Sequence, residues 1–149
     1  MAGMYPMVVQ FVDVINQKKL RVGHSKKVLA KTDQYHVWIH GDRPGVKGPM
    51  HRHTADETFY CIQGECTITL IDGSKTKLKP GMLVLIPKGK FYQLENTGDD
   101  YMLLLGGRSE PHKLPRFGKK GEKVGGNRSA LKKPLGTKRP LSPRVGRAT

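Results

Sequence analysis

The segment His51-Arg52-His53-Thr54-Ala55-Asp56-Glu57 sets two imidazoles one residue apart and a carboxylate four residues further on. On an extended strand alternate side chains share a face, so His51 and His53 point one way and Arg52 the other. Thr54-Ala55-Asp56 reads as a corner, after which Glu57 opens the next strand. Adjacent antiparallel strands lie about 4.8 Å apart, close enough for this carboxylate and the imidazoles to meet at one centre. Two imidazoles and a carboxylate suit one divalent transition metal, Fe, Mn, Zn, Ni or Cu. A facial set of three leaves positions open for water, dioxygen or substrate. The competing reading keeps both histidines as hydrogen-bonded residues of a metal-free binding pocket.

Such a centre needs strands to hold it. Through residues 7–105 the hydropathy period is two rather than 3.6, and β-rich runs recur at 7–14, 26–29, 35–40, 58–62, 67–71, 75–78, 82–86, 91–95 and 101–105. Turn residues separate them, among them Asp42-Arg43-Pro44-Gly45, Gln63-Gly64, Asp72-Gly73-Ser74, Lys79-Pro80-Gly81 and Pro87-Lys88-Gly89. Many short strands at brief intervals predict an all-β antiparallel sandwich or barrel. A short helix is tempting only at 14–20, and no internal repeat is visible.

Charge divides the chain. Its 149 residues carry 27 Lys+Arg and 12 Asp+Glu, a formal net charge of +15. Residues 108–149 hold 13 of the basic and 2 of the acidic residues, a net of +11, which leaves +4 for residues 1–107. Five Pro and six Gly also fall in 108–149. A segment so poor in apolar residues cannot offset its ordering entropy, which predicts a basic, disordered tail at 108–149 behind a barrel domain at 1–107. No stretch approaches ~18 consecutive apolar residues, so a transmembrane helix is excluded. Met1-Ala2-Gly3-Met4-Tyr5-Pro6 lacks a basic region followed by an apolar one, and two cysteines are too few to staple a small secreted scaffold. The expected location is cytoplasmic.

Gly45-x5-His51-x-His53-x3-Glu57-x6-Gly64 resembles the first motif of the cupin superfamily at each fixed position. After sixteen further residues, Gly81-x5-Pro87-x-Gly89-x2-Tyr92-x3-Asn96 resembles the second motif. The resemblance spans residues 35–105 and implies a small double-stranded β-helix, or jelly-roll, barrel that pairs as a homodimer. It also exposes a departure. Cupins usually carry a third metal-binding histidine where this chain has Tyr92. Its hydroxyl can hydrogen-bond a metal-bound water or a substrate oxygen, ligate as a phenolate, or serve as a buried aromatic without chemistry. Apart from any family, Gly64 is read as a position of positive φ where two strands reverse.

Inward parity from Glu57 carries Phe59 and Cys61 along the same face. Cys61 reads as a small buried hydrophobe before it reads as a reactive thiol. Were Gln63-Gly64 a two-residue hairpin loop, Cys61 and Cys66 would face each other across it, within conceivable reach of a disulfide. Upstream, His36, Trp38 and His40 alternate on one strand face. Facing inward, Trp38 and His40 would line a substrate pocket with Phe59 and Cys61; facing outward, they would pack on another surface. His24 and His112 read as solvated.

The leading expectation is a metal-dependent enzyme of dioxygenase type acting on a small polar or aromatic metabolite. His51, His53 and Glu57 would be ligands, and Tyr92 the residue that orients substrate or donates a proton. A metal-dependent isomerase or lyase, in which Tyr92 handles the proton, is the sub-alternative. A non-catalytic ligand-binding cupin is the competing class. The tail, with Lys119-Lys120, Lys132-Lys133 and Lys138-Arg139, allows weak, salt-sensitive polyanion contact and has a single aromatic, Phe117, for stacking.

Overall fold

The computed structural model describes residues 8–15 and 25–124. Its strands are β1 (Ser25–Lys31), β2 (His36–Asp42), β3 (Glu57–Gln63), β4 (Cys66–Leu70), β5 (Lys75–Leu78), β6 (Leu83–Ile86), β7 (Tyr92–Asn96), β8 (Met102–Arg108), β9 (Arg116–Phe117) and β10 (Lys123–Val124). They form a five-stranded sheet in the order β1-β2-β8-β3-β6, a three-stranded sheet β5-β4-β7, and a β9-β10 hairpin, every pairing antiparallel. Bridges Lys47↔Glu95 and His51↔Tyr92 add the irregular segment that carries the histidines to the free edge of β7. The architecture is a double-stranded β-helix, all strand among the described residues. No helix among them is long and apolar enough to cross a membrane.

The strand period sorts side chains as the sequence predicts. In β2, β3 and β8 the residues Trp38, Phe59 and Leu104 turn inward, and they meet Ile68, Leu94 and Tyr92 from the smaller sheet in one buried cluster. The opposite face of the five-stranded sheet keeps Tyr60, Leu83 and Leu85 at 39–62% exposure.

Three expectations change. Residues 8–13 form no ladder. Val8, Val9 and Phe11 stay exposed because no sheet face receives them, and the segment is held by the Gln10 side chain instead. Its amide donates to Lys31 O (2.8 Å) and accepts from Lys31 N (3.1 Å), satisfying the outer edge of β1. Gln63-Gly64 is a corner rather than a hairpin loop, because β3 pairs with β8 and β6 while β4 pairs with β5 and β7. Cys61 and Cys66 therefore sit in different sheets, both buried and both free. Gly64 has φ +77°, and a Cβ there would stand 2.8 Å from Tyr101 O, so the corner admits no side chain. The charge break after Gly107 falls inside β8, and ordered structure continues through β10. His24, most of the helix candidate at 14–20, and the basic pairs at 132–133 and 138–139 lie outside the described residues.

Gly106 shows how tightly the inner face is filled. Its partners across the sheet are Trp38 and Phe59, and a methyl group there would run into Cε2 and Cζ2 of the Trp38 indole. Gly106→Ala is expected to cost about 2 kcal/mol through overpacking. Thermal unfolding should show this as a midpoint lower by roughly 10 °C.

Candidate metal and ligand site

One row of the larger sheet builds half of the site. His36 of β2, Arg108 of β8, Glu57 of β3 and Ile86 of β6 are successive cross-strand neighbours, all buried and all on the inner face. The facing sheet supplies the other half. Tyr92 opens β7 and is locked opposite His51 by two backbone hydrogen bonds, His51 N to Tyr92 O (3.0 Å) and Tyr92 N to His51 O (2.9 Å). His53, two residues on, projects from the same face, as the i, i+2 spacing requires.

Proton positions follow from who can donate. His51 Nδ1 lies 2.8 Å from Pro49 O, and a carbonyl only accepts, so the imidazole carries its proton there and turns a bare Nε2 inward. Arg108 Nη2 lies 3.2 Å from His53 Nε2, and a guanidinium only donates, so His53 Nε2 is bare as well. Its proton on Nδ1 faces Glu110 Oε1 at 3.8 Å and has no hydrogen-bond partner. The two Nε2 atoms lie 3.0 Å apart, and the His53 lone pair is the one that accepts from Arg108. Burial holds both rings neutral and pushes His51 down to about 4 and His53 to about 2; Arg108 and Arg116 push the same way.

Tyr92 completes the cluster. Its hydroxyl donates to Glu57 Oε1 and lies 3.1 Å from His51 Nε2. Burial and the Glu57 charge keep it a neutral phenol, with its acidity suppressed well below that of a free tyrosine. Glu57 is fully engaged: Tyr92 holds Oε1, and Arg108 holds Oε2 through Nε (2.6 Å) and through Nη2. Arg108 also reaches Glu110 Oε1 (3.4 Å) and lies 4.7 Å from the Trp38 ring centre.

The donor set can be tested against the expected metal. Two metal–nitrogen bonds of about 2.1 Å at a right angle span roughly 3.0 Å, which is the observed Nε2–Nε2 separation. The spacing of two neutral imidazoles fits a divalent transition ion, provided that Arg108 yields the His53 lone pair. Glu57 does not join them, since Oε2 stands 3.8 Å from His53 Nε2 and is held by a guanidinium. Among the described residues no group of three His, Cys, Asp or Glu side chains is arranged to hold a metal.

Of the expected pocket residues, Trp38, Phe59 and Cys61 face the interior. Trp38 stacks on His36 (5.0 Å between centres) and meets Phe59 edge-on (5.7 Å). Cys61 lies deeper, its thiol raised by burial and directed at Gln63 O, and burial lifts Cys66 to about 12. His40 turns its Nε2 to Asp42 Oδ2 (2.5 Å). Four residues outside the expected set also enter the site. Arg108 and Glu110 were absorbed into the basic tail by charge alone, although the inward parity of Met102, Leu104 and Gly106 extends directly to Arg108. Lys26 of β1 lies 4.3 Å from the Trp38 ring centre, and burial lowers it to about 8. His112 joins His36 at 5.6 Å between ring centres.

Arg108→Leu strands a buried carboxylate without its cation and is expected to cost about 3–5 kcal/mol. The double variant Glu57→Gln/Arg108→Leu should recover most of that loss in urea unfolding. A second imidazole pair adds to the acid sensitivity that the buried His51 and His53 confer. Burial lowers both His36 and His112, the latter to about 4, whereas unfolded histidines protonate near ~6.5. Their contribution to stability is complete above pH ~6.5 and is lost as pH falls toward 4. The thermal midpoint should decline across that window, and less steeply in His112→Gln, with both proteins alike at pH values above it.

Comparison with known proteins agrees with this geometry. Residues 39–106 match the family model of the cupin domain. Auxin-binding protein T92 of Nicotiana tabacum is 30% identical over 81 residues, 48% of this chain and 43% of that protein. Gentisate 1,2-dioxygenase of a Ralstonia species is 32% identical over 83 residues, 56% of this chain and 23% of the enzyme. The chain thus spans less than half the length of these relatives. A conserved Klebsiella pneumoniae protein with a double-stranded β-helix domain superimposes with a TM-score of 0.56 at 20% identity, over 62% of this chain and 81% of that one. Residues 39–106 of the barrel thus form a cupin domain.

Proposed function

We propose that the barrel holds a divalent transition metal on His51 and His53 and acts on a small organic molecule in the manner of a dioxygenase. The observation that carries this reading is the pair of bare Nε2 atoms 3.0 Å apart. Burial keeps both rings from taking up protons, and a divalent ion between them would take the lone pair of His51 and compete with Arg108 for that of His53. An ion bound there supplies Lewis-acid or redox chemistry. The rest is the work of side chains. Pro49 O fixes the His51 tautomer, and Arg108 fixes that of His53. Tyr92, a neutral phenol between Glu57 and His51, holds a proton where a substrate oxygen would approach the imidazoles. Trp38 and Phe59 give the interior an aromatic wall for a planar substrate. The same proton-bearing Tyr92 serves an isomerase or lyase. The similarity to gentisate 1,2-dioxygenase supports the oxidative version.

A second reading is non-catalytic binding of a small ligand. It is favoured by the guanidinium seated on Glu57, which satisfies the carboxylate without any metal, and by the similarity to auxin-binding proteins. Homodimerisation belongs to the same proposal. The half-exposed Tyr60, Leu83 and Leu85 support it, and light scattering on the purified chain tests it.

Elemental analysis after incubation with Fe(II), Mn(II) or Zn(II) separates the readings. About one ion per chain is expected, with affinity at least tenfold weaker in His51→Ala, consistent with loss of one of two imidazole ligands. Dioxygen consumption with gentisate should follow metal loading. Stoichiometric metal without oxygen uptake across phenolic acids moves the assignment to isomerase, lyase or binding protein. Failure to load any metal overturns the metal-dependent reading.

A further inference from the structure

The β9-β10 hairpin belongs to the segment whose composition predicts a solvated tail, yet it is fastened to the residue between the two site histidines. Arg52 N donates to Phe117 O (2.8 Å), and Phe117 N donates to Arg52 O (2.9 Å). Side chains alternate across a strand, and Phe117 lies on the outer side, where the Arg52 guanidinium is 5.1 Å from its ring centre. Arg116, its neighbour, takes the opposite side, toward His51, His53 and Tyr92. Its charge bears on all three of those groups, and Glu57 and Tyr92 bear in turn on Arg116.

The two carboxylates at the site, Glu57 and Glu110, are both engaged by Arg108, and neither forms an ion pair with Arg116. Arg116 is half-buried and spends its Nε on Val124 O (2.8 Å). Among the described residues it makes no ion pair. A partly desolvated guanidinium beside neutral imidazoles and a neutral phenol lacks the counter-charge that such burial ordinarily requires. We infer that Arg116 holds the carboxylate of a small aromatic acid, placing the substrate's ring against the aromatic wall and its anionic end under the hairpin. This names the substrate class for the proposed function and rests on the premise that the barrel takes a small organic molecule. It does not depend on the metal.

The test uses the full chain, whose single tryptophan, Trp38, lies in the site and reports ligand by its fluorescence. The probes are benzoate and its neutral isostere benzamide. Benzoate is expected to bind at least tenfold more tightly, the size of a lost charge-assisted hydrogen bond. Arg116→Gln should abolish that preference while leaving benzamide unchanged, and Arg116→Lys should restore most of it. Equal binding of the two probes, no saturable binding of either, or an unchanged preference in Arg116→Gln overturns the assignment. Metal content of the Arg116→Gln protein should match the parent. A benzoate preference that survives in metal-free His51→Ala protein supports the anion site even if the metal reading has failed.

Discussion

The Glu57 carboxylate is buried where two sheets meet, and the site is organised around what neutralises it. Arg108 is its direct neighbour in the ladder, so the ion pair arises from register rather than from a search by long side chains. That pairing has consequences on both sides. The guanidinium is drawn flat between Glu57 and Trp38, and from there it donates to His53 and thereby selects a tautomer. Tyr92 is drawn from the opposite sheet to the other carboxylate oxygen, which ties the two leaves of the barrel at the same point. A buried pair of this kind adds little net stability over apolar packing, because desolvation offsets the attraction. Its value here is geometric. It fixes which nitrogen faces inward.

The imidazole pair shows the reverse economy. Each Nδ1 is directed outward, toward Pro49 O or Glu110, so neither ring has an internal donor to offer the other. Proteins normally satisfy buried polar atoms; here Arg108 satisfies His53 Nε2, while Tyr92 spends its proton on Glu57 and so offers none to His51 Nε2. Burial and the nearby arginines disfavour protonation of either histidine.

Much of this was legible in the chain, and the illegible part has one cause. Period-two alternation identified an all-β sandwich or barrel, and the resemblance of the His51, His53, Glu57 and Gly64 spacing to the first cupin motif implied which barrel it is. Parity from Glu57 carried Phe59 to the interior, whereas the face of Trp38 was left open between inside and outside. Net charge was the misleading guide. Summed over 108–149 it marks a solvated tail, but charge is a property of composition, whereas burial is decided by partners. Arg108 and Glu110 find theirs in Glu57, His53 and Thr54, residues some fifty positions away that no window of sequence can see. The same blindness affects residues 8–13, whose alternation matches a strand although the segment meets β1 through the Gln10 side chain. For Cys61 and Cys66, local reasoning assumed a hairpin; the chain instead changes sheets at Gly64.

The departure from the usual second motif can now be given a physical sense. A third histidine at position 92 would be a neutral acceptor beside two others and would leave the Glu57 carboxylate free to ligate. Tyrosine is a donor at neutral pH, and it spends its proton on Glu57. With Arg108 on the other oxygen, both carboxylate oxygens are held by protein donors and the group serves as scaffolding. Where the motif resemblance implies a third histidine, this chain therefore sets two imidazoles beside a neutral phenol and a guanidinium, and Tyr92 is what binds the histidine segment to the Glu57–Arg108 pair.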